Sequence, residues 1–267
     1  MKRLLVAVAV LLAVPSAHAL PARSTADVLE PGRWSIGVID PLRVGVTKDV
    51  ELVTHPVIDL MLSPNLEARV LLVRSGSLRV TGEYGFSVPT VAMRLTSGYL
   101  FPSWKTSDDR VGWFFVPSAG LAVSHGERTV VTGRLETAIG IPIGRNDAKP
   151  LDTWAPLELL LAPPLTGWRS HLMIGLDHPL TTWMRGRVSL DGWMIGPSEP
   201  PRSQVLFGGS AALDLRTSER TTVTLGAVLY DYDQHREEVV RGDDGRWQRK
   251  RVRNVDIWPM LDFVYRR

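Results

Sequence analysis

Hydrophobic and polar positions alternate along much of this 267-residue chain. The clearest example is the segment 128–143, in which Val131 and Leu135 occupy odd positions while Arg134 and Glu136 occupy even positions. A period of two residues predicts a β-strand with one apolar face and one polar face. The same alternation recurs in the segments 77–87, 181–195, 204–216 and 220–232.

The predicted strands are long. They span roughly 10 to 15 residues, whereas strands of soluble proteins usually have about 5 or 6. A strand that crosses a membrane at its usual tilt needs about 9 to 11 residues. Length and alternation together therefore favour strands that span a bilayer.

Turn-forming residues separate these segments by connections that are alternately short and long from the middle of the chain onward. Outer-membrane barrels combine short periplasmic turns with longer outer loops. The pattern predicts an all-β fold, a single closed antiparallel transmembrane β-barrel of about twelve strands with both chain ends on the periplasmic side. The predicted strands are 33–46, 50–62, 66–74, 77–87, 91–100, 111–124, 128–143, 168–177, 181–195, 204–216, 220–232 and 252–265.

The strand count depends on three segments. Asp40-Pro41 and His55-Pro56 interrupt the first two predicted strands, and we interpret them as bulges or loop tips. Ten strands is the alternative count. The even number also requires that residues 154–164 form a loop or a strand extension rather than a separate strand.

The amino terminus has the pattern of a secretory signal peptide. Lys2 and Arg3 precede a short apolar run, and the sequence Ala17-His18-Ala19 provides an A-x-A cleavage site. We therefore predict a signal peptide at 1–19, cleavage after Ala19 and a barrel domain at 20–267. The apolar run is too short for a membrane helix, which needs roughly 20 residues.

Composition excludes several classes of function. Removing Lys2 and Arg3 from the 31 basic residues leaves 29 against 28 acidic ones, so we expect no nucleic-acid partner. The chain contains no cysteine, which excludes disulfides and thiolate metal sites. No phosphate loop or nucleotide fingerprint is present, and we predict no cofactor and no metal site.

Alternation alone does not decide which face of a strand points outward. A soluble periplasmic sandwich or a lipocalin-like barrel would place the apolar face inside. Strand length, the alternation of short and long connections and a polar face of charged and small residues favour a membrane barrel. The periplasmic alternative would bind an apolar ligand.

The last predicted strand carries a family resemblance. Between Val252 and Tyr265, apolar residues alternate with polar ones and the segment closes on aromatic residues. It resembles the C-terminal β-signal of Gram-negative outer-membrane proteins, although Arg266 and Arg267 follow Tyr265 where that family ends on an aromatic residue. The resemblance implies recognition of 252–265 by the outer-membrane assembly machinery, with membrane lipids as the other partner.

The polar faces of the strands carry charges of both signs, which we assign to the lumen. Buried charges must be paired or hydrated. A closed lumen would hold them as a structural network, and a wetter one would form a narrow pore with a local preference for anions at Arg185 and Arg187. The assigned lumen charges are Arg79, Glu83, Arg134, Glu136, Arg169, Arg185, Arg187, Asp191, Asp214 and Arg216.

Candidates for catalysis are sparse, and we assign no catalytic residue. Asp233 and His235 resemble the acid and histidine of omptin-type surface proteases, with Asp108-Asp109 as the second acidic pair. A solvated outer loop is the preferred interpretation of both. His171 and Asp177 share a strand face, but Ser170 points to the other face, so no nucleophile meets a base there.

The sequence thus favours a non-enzymatic outer-membrane barrel, either structural or a narrow passive pore for small polar solutes. The alternatives are an outer-membrane hydrolase with Asp233 and His235 at its outer rim, and a periplasmic β-protein that binds an apolar ligand.

Overall fold

The computed structural model describes residues 20, 22–60, 62–96, 111–147, 155–197, 204–241 and 246–267. Most of them lie in strands. These are β1 (Trp34–Ile36), β2 (Leu42–Gly45), β3 (Val50–Thr54), β4 (Asn65–Ser75), β5 (Leu78–Ser87), β6 (Trp113–His125), β7 (Val130–Ile139), β8 (Ile141–Ile143), β9 (Trp168–Pro179), β10 (Met184–Ile195), β11 (Val205–Arg216), β12 (Thr221–Arg241) and β13 (Trp247–Arg266). The predicted signal peptide at 1–19 lies outside the described residues and stays a prediction.

Three helices lie in the connections. They are α1 (Pro56–Leu60), α2 (Thr90–Thr96) and α3 (Ala155–Thr166). Within the described ranges, no helix combines the length and the apolar character that a bilayer crossing demands.

Twelve of the strands form a closed antiparallel ring. Neighbouring strands of the ring pair in sequence, and β13 pairs back with β1 to close it. The remaining strand, β8, follows β7 after Gly140 and pairs with the first residues of β6. Closure gives each strand of the ring a neighbour on both sides. The predicted barrel of about twelve strands is confirmed.

Three predicted strands differ from the observed elements. The predicted strand 33–46 is the hairpin β1–β2, because the chain turns at residues 37–40 before Pro41. The predicted strand 50–62 ends at Thr54, since Pro56 opens α1 with a φ angle that suits a first helical turn. The described part of the predicted strand 91–100 is α2. The ring still has twelve strands, because the predicted strand 33–46 forms two strands while the predicted strand 91–100 is replaced by a helix in its described part.

Tight turns gather at one end of the barrel, which we call the turn end. They lie between β2 and β3, β4 and β5, β6 and β7, β9 and β10, and β11 and β12. At Gly126 the backbone has a φ of 111°, and an added Cβ would lie 1.9 Å from the carbonyl oxygen of Thr129. The carboxyl terminus lies at this end too, since Arg267 and Trp34 exchange backbone hydrogen bonds of 2.9 Å. The opposite end, with the longer connections, is the loop end.

The barrel is apolar outside and polar inside. Leu190 is 73% exposed and Ile257 is 68% exposed on the outer face, whereas Asp214 and Thr224 are buried in the lumen. Covering an exposed leucine or isoleucine with hydrocarbon contributes about 1.5–3 kcal/mol. The distribution of faces is the reverse of that in a soluble barrel, and it suits a bilayer.

Candidate functional site

An N-terminal segment crosses the barrel lumen near the turn end. We call residue 20 and residues 22–30 the plug. Within it, Arg23, Thr25 and Ala26 are almost fully buried, as is Leu20 at its start. The plug belongs to no strand, so its backbone groups depend on side chains of the wall for hydrogen bonds.

Arg23 anchors the first half of the plug. Its Nη1 donates to Asp214 Oδ1 at 3.1 Å and to Thr224 Oγ1 at 2.6 Å, and its Nη2 donates to Asp262 Oδ2 at 3.2 Å. The same guanidinium forms an ion pair with Asp40. Burial opposes the charge, but the three surrounding carboxylates outweigh it and raise the pKa of this arginine. The positive charge is therefore permanent.

The second half of the plug binds the opposite wall. The amide of Ala26 donates to Ser124 Oγ at 2.7 Å, and its carbonyl accepts from the hydroxyl of Thr81. The amide of Leu29 donates to Glu51 Oε2 at 2.8 Å. Contacts on both walls close the lumen at this level.

Asp262 joins the plug to the barrel wall. Besides Arg23, its carboxylate accepts the amides of Val38 at 2.8 Å, Ile39 at 2.9 Å and Asp40 at 3.2 Å. These three amides form the tip of the β1–β2 hairpin. One buried carboxylate therefore holds both the plug and this hairpin.

Most of the charges assigned to the lumen from the sequence form ion pairs or hydrogen bonds, which are of two kinds. Some hold the plug: Asp214 binds Arg23, Arg79 binds the plug residue Asp27 at 3.0 Å, and Arg185 donates to the carbonyl of Leu20 at 2.8 Å. The others pair across the wall: Glu83 with Arg134, Glu136 with Arg169, Arg187 with Asp214, and Asp191 with His171. Arg216 is half-buried at the turn end of β11.

Helix α3 covers the lumen at the loop end. Leu161 packs with Met93 and Phe114 in one buried apolar cluster, and Leu159 packs with Trp193 in a second. Arg169 Nη1 donates to the carbonyl of Leu159 at 2.8 Å, which ties the helix to β9. The described part of the barrel is thus covered at both ends, by polar contacts at the turn end and apolar ones at the loop end.

Three neighbouring strands of the barrel wall are short. Strands β1, β2 and β3 contain only 3, 4 and 5 residues, whereas crossing a bilayer takes about 9 to 11. On its β1 side, the carboxyl-terminal strand pairs only at its end, through Tyr265, Arg266 and the following Arg267. In the described ranges no strand covers this edge from residue 247 to 264. We call this region the side opening.

A cavity of about 350 Å³ lies against the side opening. Its near side is formed by the ends of the short strands and by α1, and its far side by residues of β4, β5, β6, β7 and β9 and by α3. The residues that matter here are Val53, Ile58 and Leu160, which are apolar, and Glu67, Glu136 and Arg169, which are charged.

A second, polar cavity of about 220 Å³ lies directly above the plug. Arg23 and Ser24 line it from the plug, and His171 lines it from β9. His171 is the register partner of Glu136, which lines the first cavity. The two cavities are therefore neighbours, in the order side opening, first cavity, second cavity and plug.

The structure separates the catalytic candidates on β9. His171 Nε2 lies 2.8 Å from Asp191 Oδ1, and its ring stacks on Trp193 with centroids 4.9 Å apart. Asp177 instead binds Arg185 and accepts the amide of Arg23 at 2.9 Å. Ser170 bonds to Thr137 at 2.9 Å on the exposed outer face. No nucleophile and base meet among these residues.

The omptin-like candidates fall outside the described side chains. Asp108 and Asp109 lie in a range that the structure does not describe, and for Asp233 and His235 it describes only the backbone, in β12. The hydrolase hypothesis stays a prediction. A search of the described residues finds no group of acidic and histidine side chains suited to a metal ion.

Sequence reasoning missed the plug. Its only sequence signal is a lone arginine, Arg23, in a stretch without alternation just after the predicted cleavage site. The role of Asp40 as an ion-pair partner of Arg23 was not predicted either, because the sequence places Asp40 at an interruption of a predicted strand. Its partner Arg23 has no periodic relation to it along the chain.

No protein-family model and no curated protein matches this sequence. Among solved structures, the chain is similar to the outer-membrane expressed OmpT of Vibrio cholerae, with 9% identity and a TM-score of 0.45. That match covers 85% of this chain but only 63% of the other, so the chain spans less than two thirds of its length. The chain is also similar to the COG4313 outer membrane channel of Pseudomonas putida, with 8% identity, a TM-score of 0.46 and coverage of 92% and 100%. Both likenesses concern the fold alone.

Proposed function

We propose that this chain is an outer-membrane barrel that moves small amphipathic molecules between the bilayer and its lumen. The apolar outer face and the predicted signal peptide support the location. The observation that carries the function is the side opening, where β1, β2 and β3 are too short to span the bilayer.

An unpaired strand edge is costly in hydrocarbon, because its amide and carbonyl groups find no water there. Irregular backbone at membrane depth is tolerated where it is buried in protein or lines a cavity. The ends of the short strands meet that condition, because Pro41 and Val53 line the cavity. A molecule with an apolar part could pass from the bilayer into the lumen here without first entering water.

The lining of the first cavity fits such a molecule. Val53, Ile58 and Leu160 offer apolar contact, while Glu67 and Arg169 offer charge. Ligand pockets typically combine apolar walls with a few polar groups that fix orientation. An amphipathic solute could contact the apolar residues with its apolar part and the charged residues with its polar part.

Photolabelling from within the bilayer tests this function. A decanol analogue with a terminal alkyl diazirine is added to the barrel in lipid vesicles, and labelled positions are identified by mass spectrometry. We expect labelling of Leu160 on α3, inside the barrel, as well as of Leu190 on the outer belt. Ser124, buried beside the plug, should remain unlabelled.

Two matched variants on α1 make the test specific. Ile58→Trp fills the cavity at the side opening and should reduce labelling of Leu160 several-fold, while Leu190 is unaffected. Val57→Trp adds the same ring to a residue that is 40% exposed and does not line the cavity, and labelling should not change. Equal labelling of Leu160 in both variants would contradict access from the side.

A narrow polar pore is the second candidate, and the charged lumen favours it. The plug is held by hydrogen bonds and ion pairs rather than by an apolar core, so its release would expose a hydrated path. Ion conductance that appears only after the plug is weakened would support this pore.

A further inference from the structure

Glu67 is a lumen carboxylate with one distant cationic neighbour. Its nearest cation is Arg69, with Nε 3.9 Å from Oε1. In the described ranges its carboxylate accepts no hydrogen bond, and a third of its side chain is exposed to the cavity.

Each nitrogen of the Arg69 guanidinium donates to a partner other than Glu67. Its Nε donates to Glu83 at 3.1 Å, its Nη1 donates to Glu51 at 2.9 Å, and its Nη2 donates to the carbonyl of Thr25. All three nitrogens of the guanidinium are thus engaged elsewhere. Glu67 is left facing the cavity, and when it is ionised only weak attraction offsets its negative charge.

The other charged groups of the cavity do not compensate. Glu136 is already bound to Arg169 at 3.1 Å, and Arg169 also holds the carbonyl of Leu159. This pair is neutral as a whole, so an ionised Glu67 gives the cavity lining an excess negative charge. A cationic ligand would supply the missing partner, because charge-assisted hydrogen bonds to a carboxylate are among the strong ones.

We propose that Glu67 makes this cavity a binding site for amphiphiles with an ammonium head group. The ammonium binds the Glu67 carboxylate, and the apolar tail lies along Val53, Ile58 and Leu160 toward the side opening. This proposal rests on the function proposed above and names its ligand class.

Binding of two ligands with the same tail tests the site. Decylammonium and decanol are titrated calorimetrically into the barrel in lipid nanodiscs, with empty nanodiscs as the blank. For each ligand the wild type is compared with Glu67→Gln, so that partition into lipid cancels. We expect decylammonium to bind Glu67→Gln about ten-fold more weakly, and decanol to bind both proteins equally.

Two further variants control for folding and for charge. Glu67→Asp keeps the carboxylate and should retain most of the preference for decylammonium. Glu30→Gln removes a carboxylate whose side chain is 84% exposed outside the cavity and should change neither affinity. Heat-modifiable gel mobility confirms that each variant forms the barrel.

The outcomes separate the two proposals. If decanol binds but decylammonium has equal affinity for the wild type and Glu67→Gln, the head-group site is wrong while the amphiphile function stands. If neither ligand binds above the nanodisc blank, both the site and the amphiphile function are overturned.

Discussion

At the scale of single residues, Arg23 is a buried cation that binds three carboxylates of the lumen. It meets Asp40, Asp214 and Asp262, which come from three different strands or turns. Replacing one member of a buried ion pair leaves the other charge without compensation, at a cost of about 3–5 kcal/mol. We therefore expect Arg23 to contribute a large part of the free energy that holds the plug in the lumen.

We predict that Arg23→Ala releases the plug. The wall carboxylates would repel one another and draw water into the turn end, so single-channel recordings should show openings that the wild type lacks. Arg23→Lys keeps the charge but not the forked geometry, and should give an intermediate opening frequency. Arg33→Ala is the control, because its side chain is 64% exposed and 3.9 Å from Glu30. Closed recordings from Arg23→Ala would contradict a plug held by this residue.

At the scale of elements, the plug and the β1–β2 hairpin fit closely. Gly45 of β2 faces the last plug residues, and an added Cβ would lie 2.1 Å from the carbonyl oxygen of Glu30 and 2.5 Å from that of Leu29. Backbone atoms do not move aside as a flexible side chain does. A residue larger than glycine at position 45 would therefore clash with the plug backbone in its observed position.

We predict that Gly45→Ala displaces the plug while the barrel still forms. Overpacking of this kind usually costs about 1–3 kcal/mol, which should appear as a lower midpoint of urea unfolding in vesicles. Gly133→Ala in β7 is the matched control, since an added Cβ there meets no atom within 4 Å. Equal midpoints for the two variants would mean that the plug and β2 are not in contact.

At the scale of the whole molecule, the inverted distribution of faces ties stability to the bilayer. The outer belt gains its favourable free energy from lipid, and the lumen gains it from paired charges. A charge placed on the lipid face near the midplane costs roughly 2–4 kcal/mol, and near an interface about 0–1 kcal/mol. The depth of a substitution should therefore set its effect.

We predict a large effect for Leu190→Arg, in the middle of β10, and a small one for Val46→Arg, at the turn end. Both side chains are at least half exposed in the barrel. Urea unfolding in lipid vesicles, followed by tryptophan fluorescence, should show a loss of stability of roughly 2–4 kcal/mol for the first and under about 1 kcal/mol for the second. Similar losses for both would contradict a membrane-embedded belt.

The sequence by itself determined the strands that span the bilayer. Alternation depends on neighbours two residues apart, so it is visible locally, and the predicted bounds of β5 and β11 match the structure within one residue. The predicted strand bounds were wrong beside Asp40-Pro41 and His55-Pro56, where the chain turns or begins α1. The described part of 91–100 is helical, because short apolar runs fit strand and helix alike. The antiparallel barrel of about twelve strands followed from local pattern and turn spacing.

Only the tertiary structure decided which face points outward, where the plug closes the lumen and where the strands of the wall are too short to span the bilayer. Arg23 and Asp214 are 191 residues apart, and Val38 and Asp262 are 224 apart. No periodicity links such positions, because a contact across the lumen depends on closure of the whole ring rather than on neighbouring residues. The plug, the side opening and the exposed charge of Glu67 are for this reason properties of the closed barrel.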